Sequence, residues 1–497
     1  MERKEKGKNR IMEKKIKSVK FNFIMNSILT ASSMIFPIIT YPYVSRILQP
    51  EGIGTVSFAN SVITYFSMFA QLGVPTYGIR ACAKVRDDKE KLSRTVQEIM
   101  LINLVTCLIV YLAFGISLYL VPQFRQEKLL YVIMGTLILF NTIGVEWLYK
   151  GLEQYSYITV RSIIFKFIAL IAMFLLIREK EDYIIYGGIT IFAAAGSNVL
   201  NFINLRKYIS LRPVGGYDFR QHIKPISIFF AMSIATTVYT NMDNVMLGFI
   251  RGTTENGYYD AAVKIKNILV SFVTSLGTVL LPRVSYYIEM GEKKEFYRIA
   301  KKALNFVFLI SVPLCIYFIF FAKPSIYLLS GPAFDHAVLP MQLIMPTLVF
   351  IGLTNIIGLQ ILVPLGRENQ VLYSEIVGAI VNIIVNTLLI PRMGAAGAAI
   401  GTVLAEISVF IVQVMAMRGQ ILPVLKKISY LKIMAAVGIG CLCSLWVYRL
   451  ELNDFLCLAV SAVLFFGSYG VVLLASREKT TVEIVGQVLS KVKKRKS

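Results

Sequence analysis

GTVSFANSVITYFSMFAQLGVPTYGIR, residues 54–80, is the stretch on which the fold turns. It is apolar enough to cross a bilayer, yet Ser57, Ser61, Thr64 and Gln71 recur along it every three or four residues. That spacing marks one face of a helix. Slid by a constant offset, the stretch falls on GYYDAAVKIKNILVSFVTSLGTVLLPR, residues 257–283. Gly54 then meets Gly257, Ala59 meets Ala262 and Arg80 meets Arg283. The polar stripe keeps register, with Ser57 on Asp260, Ser61 on Lys264, Thr64 on Asn267 and Gln71 on Thr274. A second echo, at a somewhat larger offset, links Gly-Leu-Glu-Gln at 151–154 to Gly-Arg-Glu-Asn at 366–369.

Composition explains why the repeated unit is a set of membrane helices. The 497 residues are 56% hydrophobic and 16% charged, with mean hydropathy +0.65, against about 45–50% and 25% in a soluble globule. A soluble enzyme and a secreted disulfide scaffold are both excluded. Crossing about 30 Å of hydrocarbon takes about 20 apolar residues. Fourteen runs qualify: 19–46, 55–82, 95–121, 128–149, 154–177, 183–206, 224–250, 257–286, 299–322, 337–363, 369–390, 395–418, 430–449 and 454–476. Helices are expected, since each satisfies its own amides in lipid. Six spans per copy is an even number, so the copies share orientation about the membrane normal. The expectation is an all-α polytopic membrane protein of about fourteen transmembrane helices. It has two parallel six-helix lobes around a central cavity, plus two C-terminal helices.

Net charge is +23, from 52 Lys and Arg against 29 Asp and Glu. The positive residues cluster in alternate loops, as at Lys84, Arg86, Lys89 and Lys91, at Arg206, Lys207 and Arg212, and at Arg418, Lys426 and Lys427. The loop QPEGIG after span one has none. Such asymmetry places both termini in the cytoplasm and gives no support to nucleic-acid binding. The expected organisation is a basic N-terminus (1–18), an N-lobe (19–206), a cytoplasmic linker (207–223), a C-lobe (224–418), two further spans (430–476) and a basic amphipathic tail (477–497). The six cysteines lie in or beside apolar runs without disulfide or zinc spacing. His222 and His336 are too few and too separated for a metal centre.

Charge inside a span costs about 2.5–3.5 kcal/mol on insertion scales, so each instance asks for a reason. Arg161 and Lys166 sit in span five, about 10 and 18 Å from its start. About 140° separates them around the helix, which suits a wide cavity and not a narrow seam. Asp260 and Lys264 are four apart and can pair, as a structural bridge or as part of a substrate or ion site. Asp243 stands on a stripe with Ser233, Thr237 and Thr240. It is a candidate for a proton or cation, or for a contact between lobes, and Asp260 is the second ion candidate. Arg80 and Arg283 end spans two and eight, as interfacial anchors or at a cavity mouth, and Arg46 ends span one. Gln71 and Asn267 complete the set of cavity candidates. Pro37 and Pro42 predict a kink in span one. Tyr41, Tyr43, Tyr65, Tyr239, Tyr258 and Tyr259 fit interfacial belts better than sugar platforms.

No Walker, His-Glu-x-x-His or Gly-x-Ser-x-Gly motif occurs. No catalytic residue, cofactor or metal is expected.

TYPYVSRILQPEGIGTVSFANSVITYFSMFAQLGVPTYGIR (40–80), YTNMDNVMLG (239–248), GYYDAAVKI (257–265) and GRENQVLYSEIVGAIVNIIVNTLLIPRMGAAGAAIGT (366–402) together resemble the Wzx-type polysaccharide flippases. That family belongs with the multidrug and oligosaccharidyl-lipid exporters. The resemblance implies two six-helix lobes and an undecaprenyl-diphosphate-linked oligosaccharide moved from the cytoplasmic to the outer leaflet of the bacterial plasma membrane by alternating access. Arg and Lys would bind the diphosphate, and membrane lipid would take the prenyl tail. Polysaccharide polymerase and glycosyltransferases are the implied protein partners. The competing expectations on the same fold are a multidrug cation antiporter and a flippase for the peptidoglycan lipid precursor. A non-transporting scaffold for a glycan-assembly complex is a third.

Overall fold

The structure, a computed structural model, describes residues 18–290, 292–426, 428–483 and 486. The side chains of residues 276–289 are outside that description, Arg283 among them, as are residues 1–17 and the basic run that ends the chain. The longer helices are α1 (Val19–Gln71), α2 (Val74–Val85), α3 (Lys89–Leu120), α4 (Lys128–Ile143), α5 (Tyr155–Leu176), α6 (Tyr183–Ile191), α7 (Arg220–Ile250), α8 (Thr253–Glu289), α9 (Lys293–Phe320), α10 (Glu368–Met393), α11 (Ala395–Ala416), α12 (Tyr430–Ser444) and α13 (Asp454–Ala475). Among the described residues there is no strand.

Side chains are distributed inside-out. On α3, Asn103 is 2% exposed while Leu112 is 70% exposed. In water such a face would be costly. In lipid it is the solvated one, and the polar groups gather where they can bond to each other.

Eleven helices are long and apolar enough to cross a membrane, or twelve if the bent pair Pro332–Ile344 and Thr347–Leu362 is one span. The expected fourteen is not reached on that count. Spans one and two run together as Phe21–Val85, and the eighth falls in α8, where the side chains of 276–289 are not described. The break within the first of these also lies elsewhere than expected. The helix is continuous through Pro37 and Pro42, and the backbone leaves helical geometry at Gln49 (φ 59°, ψ 175°), just before Pro50. A residue ahead of proline is pushed out of the α region, whereas membrane helices absorb an interior proline through neighbouring groups.

A second, unanticipated break follows at Leu72 (φ 45°) and Gly73 (φ 75°). Gly73 is required here twice over. Its φ is left-handed, and a Cβ would lie 2.5 Å from the backbone nitrogen of Phe230 in α7. Across the break, Thr106 of α3 donates to the Ala70 carbonyl at 2.7 Å.

The chain separates into two compact units, Met1–Asn241 and Met242–Ser497. In the first, Trp147, Leu148 and Tyr149 pack with Leu92, Val96 and Ile99 of α3 and Val74 of α2. In the second, Ile433 and Val437 of α12 and Phe465 and Tyr469 of α13 join the core built on α9. Tyr317 of α9 donates to the Leu458 carbonyl at 2.9 Å, and Tyr469 of α13 donates to that of Leu309 at 2.8 Å. The last two helices therefore belong to the second unit. Ala59 and Ala262, paired by the repeat, are both fully buried.

Candidate functional site

Among the described residues, four gatherings of polar groups bear on function, three in the first unit and one in the second. The first centres on Arg161 of α5, which is 4% exposed. Its Nη1 donates to the Ser197 carbonyl at 2.8 Å and to Asn198 Oδ1 at 3.4 Å, and its Nη2 lies 3.5 Å from Glu146. The guanidinium also stands over the Tyr157 ring, 5.8 Å from the centroid. Lys166 leaves α5 on another side, as 140° of separation requires (about, by helical geometry). Its Nζ donates to Ser32 and Ser33 of α1 at 3.1 and 2.6 Å. One cation is thus locked inside the protein and the other is half-buried against hydroxyls.

The second place is a cavity of 310 Å³ beside the Leu72–Gly73 break, lined by Ser67, Gln71, Asn141, Ser233 and Thr237 among others. Gln71 donates to Ser67 Oγ at 2.9 Å, and so does Asn141 at 3.2 Å. Asn198 donates on to Asn141 at 3.4 Å, so a hydrogen-bonded run connects the Arg161–Glu146 pair to the cavity wall.

The third was not foreseen from the sequence. Glu98 of α3 and His222 of α7 are 1% and 2% exposed, and Nε2 lies 2.7 Å from the carboxylate. His222 Nδ1 is 2.6 Å from the Tyr77 hydroxyl. Glu98 also accepts from the Asp218 amide at 2.7 Å and from Gln221 at 3.3 Å. Its neighbour Gln97 donates to the carbonyls of Ser210 and Arg212 at 2.7 and 2.9 Å. One turn of α3 therefore fastens the segment 210–222 to the first unit.

The fourth place is in the second unit. Asp243 is 6% exposed. Its Oδ1 accepts from Asn382 at 2.9 Å and Asn386 at 2.6 Å, both of α10. Its Oδ2 accepts from Thr402 of α11 at 2.8 Å and from the Tyr259 hydroxyl of α8. Lys266 is within electrostatic reach of Asp243 and of the buried Glu406. Asn386 is held close by Gly401, where a Cβ would lie 2.0 Å from Asn386 Oδ1. Tyr259, expected at the interface, is 3% exposed. Its phenol is drawn inward because an apolar ring with one donor suits a buried carboxylate.

The remaining candidates are dispersed. Lys264 and Asp260 approach to 4.0 Å on α8, and Asn267 on the same helix is exposed. Arg80 is exposed on α2, and exposed Arg46 donates to the Pro42 carbonyl of its own helix. Arg283 lies outside the described side chains. Among the described residues, no three His, Cys, Asp or Glu side chains form a metal-holding group.

Lipid-exposed helices around buried ionic and amide clusters define a polytopic membrane transporter of the flippase and exporter type. The chain belongs to the polysaccharide biosynthesis protein family, whose model matches residues 19–288, more than half its length. The MatE model matches 228–388. A candidate O-antigen transporter of Escherichia coli (strain K12) is 25% identical, over 69% of this chain and 83% of that protein. A second, from Shigella dysenteriae, is 22% identical over 80% of this chain and 100% of its own. Among solved structures, the lipid II flippase MurJ in an inward closed conformation matches at TM-score 0.71 and 17% identity, covering 92% and 99% of the two chains. An inward-facing multidrug resistance MATE transporter matches at 0.56 and 16%, covering 82% and 99%. The expected fold class and family agree with these likenesses.

Proposed function

We propose that this protein moves undecaprenyl-diphosphate-linked oligosaccharide repeat units from the cytoplasmic to the outer leaflet of a bacterial plasma membrane, with both termini cytoplasmic. The observation that carries the reading is the polar interior of the first unit, where a hydrogen-bonded run leads from Arg161 and Glu146 through Asn198 and Asn141 to Ser67 and Gln71. A diphosphate with sugars cannot enter hydrocarbon unpaired; this interior offers amides and hydroxyls for the sugars, and half-buried Lys166 beside it is the cation within reach of a phosphate. The relatives' description as O-antigen transporters points the same way. Transport proceeds by alternating access, the two repeat-related lobes, 19–206 and 224–418, rocking around the cargo.

Asp243 is the coupling residue of this reading. Oxygens of Asp243, Thr402 and Tyr259 converge there, and Asn386 Oδ1 is buried without a hydrogen-bond partner. A hard monovalent cation or a proton suits that oxygen set, and turning the amides would add two carbonyl ligands. Liposomes containing the full chain and a fluorescent undecaprenyl-diphosphate-linked sugar test the proposal. Wild-type protein should flip the lipid faster under an imposed proton or sodium gradient. Asp243→Asn should flip it at least tenfold more slowly and without gradient dependence. Flipping by neither protein would overturn the reading.

The match of the MatE model to 228–388 favours a second reading, a multidrug cation antiporter. Drug sensitivity on deletion, with surface glycan intact, would favour it.

A further inference from the structure

The cavity beside the Leu72–Gly73 break has a composition unlike the rest of the polar interior. Among the described residues, no charged side chain lines it, although Arg161 and Glu146 lie only a few hydrogen bonds away. We infer that it is a subsite for one uncharged sugar ring of the cargo, and that it discriminates neutral from ionised sugars. The inference rests on the flippase reading and adds a position and a selectivity to it.

Three features support this occupant. At 310 Å³ the cavity sits at the small end of ligand pockets, about 300–1,000 Å³, which suits a single ring and not an oligosaccharide chain. Its polar wall consists of amides, which both donate and accept, and of hydroxyls, of which Thr64 and Ser233 donate to carbonyls of their own helices and face a ligand as acceptors. Ser67 Oγ accepts from both Gln71 and Asn141, which fills its lone pairs and leaves its O–H to donate. Each of the two amides spends only one of its two N–H donors in those bonds. Met68, Leu137 and Pro75 supply apolar surface for the C–H face of the ring.

The position of the cavity is set by the chain break. Leu72 and Gly73 turn the backbone, and Gly73 lets α7 approach closely enough for Ser233 and Thr237 to form a wall. An ionised ring, such as a uronic acid, would bring a carboxylate to a wall with no cation. It would shed hydration without a charged partner. A site built from hydrogen bonds also rejects ligands that leave its groups unpaired.

The test uses purified full-length protein in nanodiscs and four probes. These are bare undecaprenyl diphosphate and the same lipid bearing N-acetylglucosamine, galactose or glucuronate. Wild-type protein should bind at least one neutral-sugar lipid about tenfold more tightly than the bare lipid, and the glucuronate lipid no more tightly than the bare one. Thr237→Val, which keeps shape while removing a hydroxyl, and Gln71→Leu should each abolish that gain, and Thr237→Val should leave bare-lipid affinity unchanged. Equal losses for bare and sugar-bearing lipid, unchanged affinities, or glucuronate bound as tightly as the neutral sugars would each overturn the subsite. Wild-type protein that binds none of the four would overturn the flippase reading itself. Flipping that persists while the variants bind normally would overturn the subsite alone.

Discussion

Glu98 in the first unit and Asp243 in the second are both carboxylates withdrawn from water, at 1% and 6% exposure, and they are held in opposite ways. Glu98 faces an ionisable partner, His222, with a backbone amide and a glutamine on its flanks. Asp243 accepts four hydrogen bonds, all from neutral groups: two asparagines, a threonine and a tyrosine. Glu98 thus has an ionisable partner within the protein. Asp243 has no cation among its hydrogen-bond donors, and Lys266 lies within electrostatic reach of it. The first arrangement suits a fastening. The second is, in the proposed transport cycle, the group that takes up and releases a cation.

The largest effect expected from this difference lies in the fastening. His222→Phe keeps an aromatic ring beside Tyr77 but removes the partner of Glu98. Leaving a buried carboxylate without this hydrogen-bond partner costs about 3 kcal/mol, and it should show as a large fall in melting temperature. At a temperature where the variant remains folded, gradient-driven flipping should persist. Lost flipping at unchanged melting temperature would assign Glu98 and His222 to coupling and collapse the contrast.

A smaller effect is expected in the second unit. Asn386→Leu removes one donor from Asp243, a loss of about 1–3 kcal/mol for a buried acceptor left short. The same substitution in an Asp243→Asn background should cost much less, because a neutral amide needs fewer donors. The pair is thus a double-mutant cycle with a favourable coupling energy between Asp243 and Asn386. Additive melting shifts would mean that Asn386 serves packing against Gly401 and not the carboxylate.

The two centres differed in how far the sequence disclosed them. Asp243 stood out because a charge in an apolar helix is expensive wherever it lies. Its partners did not, although Asn382 and Asn386 are four apart in an otherwise apolar run, VNIIVN at 381–386. Paired amides at helical spacing in a span were the signal available. Tyr259 was misplaced because span-end tyrosines are commonly interfacial, and only packing reveals a ring turned inward. Glu98 and His222 are separated by 124 residues, with His222 in the first turn of α7 and Glu98 in the third turn of α3. No local pattern predicts that they meet. The helix breaks show the same limit, since Pro37 and Pro42 are more conspicuous in the sequence than Gln49 or Leu72, where the backbone turns.

A third carboxylate sharpens the comparison by standing outside the spans. Glu478 follows α13 and is 1% exposed. Its oxygens accept from the Thr481 amide at 2.7 Å and hydroxyl at 2.9 Å, and from Asn305 of α9 at 3.0 Å. Burial pushes the Glu478 carboxyl up, but the Thr481 and Asn305 donors outweigh it and hold the group below the ordinary glutamate range. A carboxyl lowered by folding contributes stability at neutral pH, and loses it as pH falls through the ordinary glutamate range toward its own lower value. The contribution is that of a helix cap, about 1 kcal/mol. Glu478→Gln should therefore melt slightly below wild type at pH 7, and the gap should close on acidification toward pH 3. A gap that stayed constant with pH would show that the side chain acts through packing and not through its charge. In that case carboxylates in this protein could not be ranked by the donors that surround them, and the contrast between Glu98 and Asp243 would lose its footing.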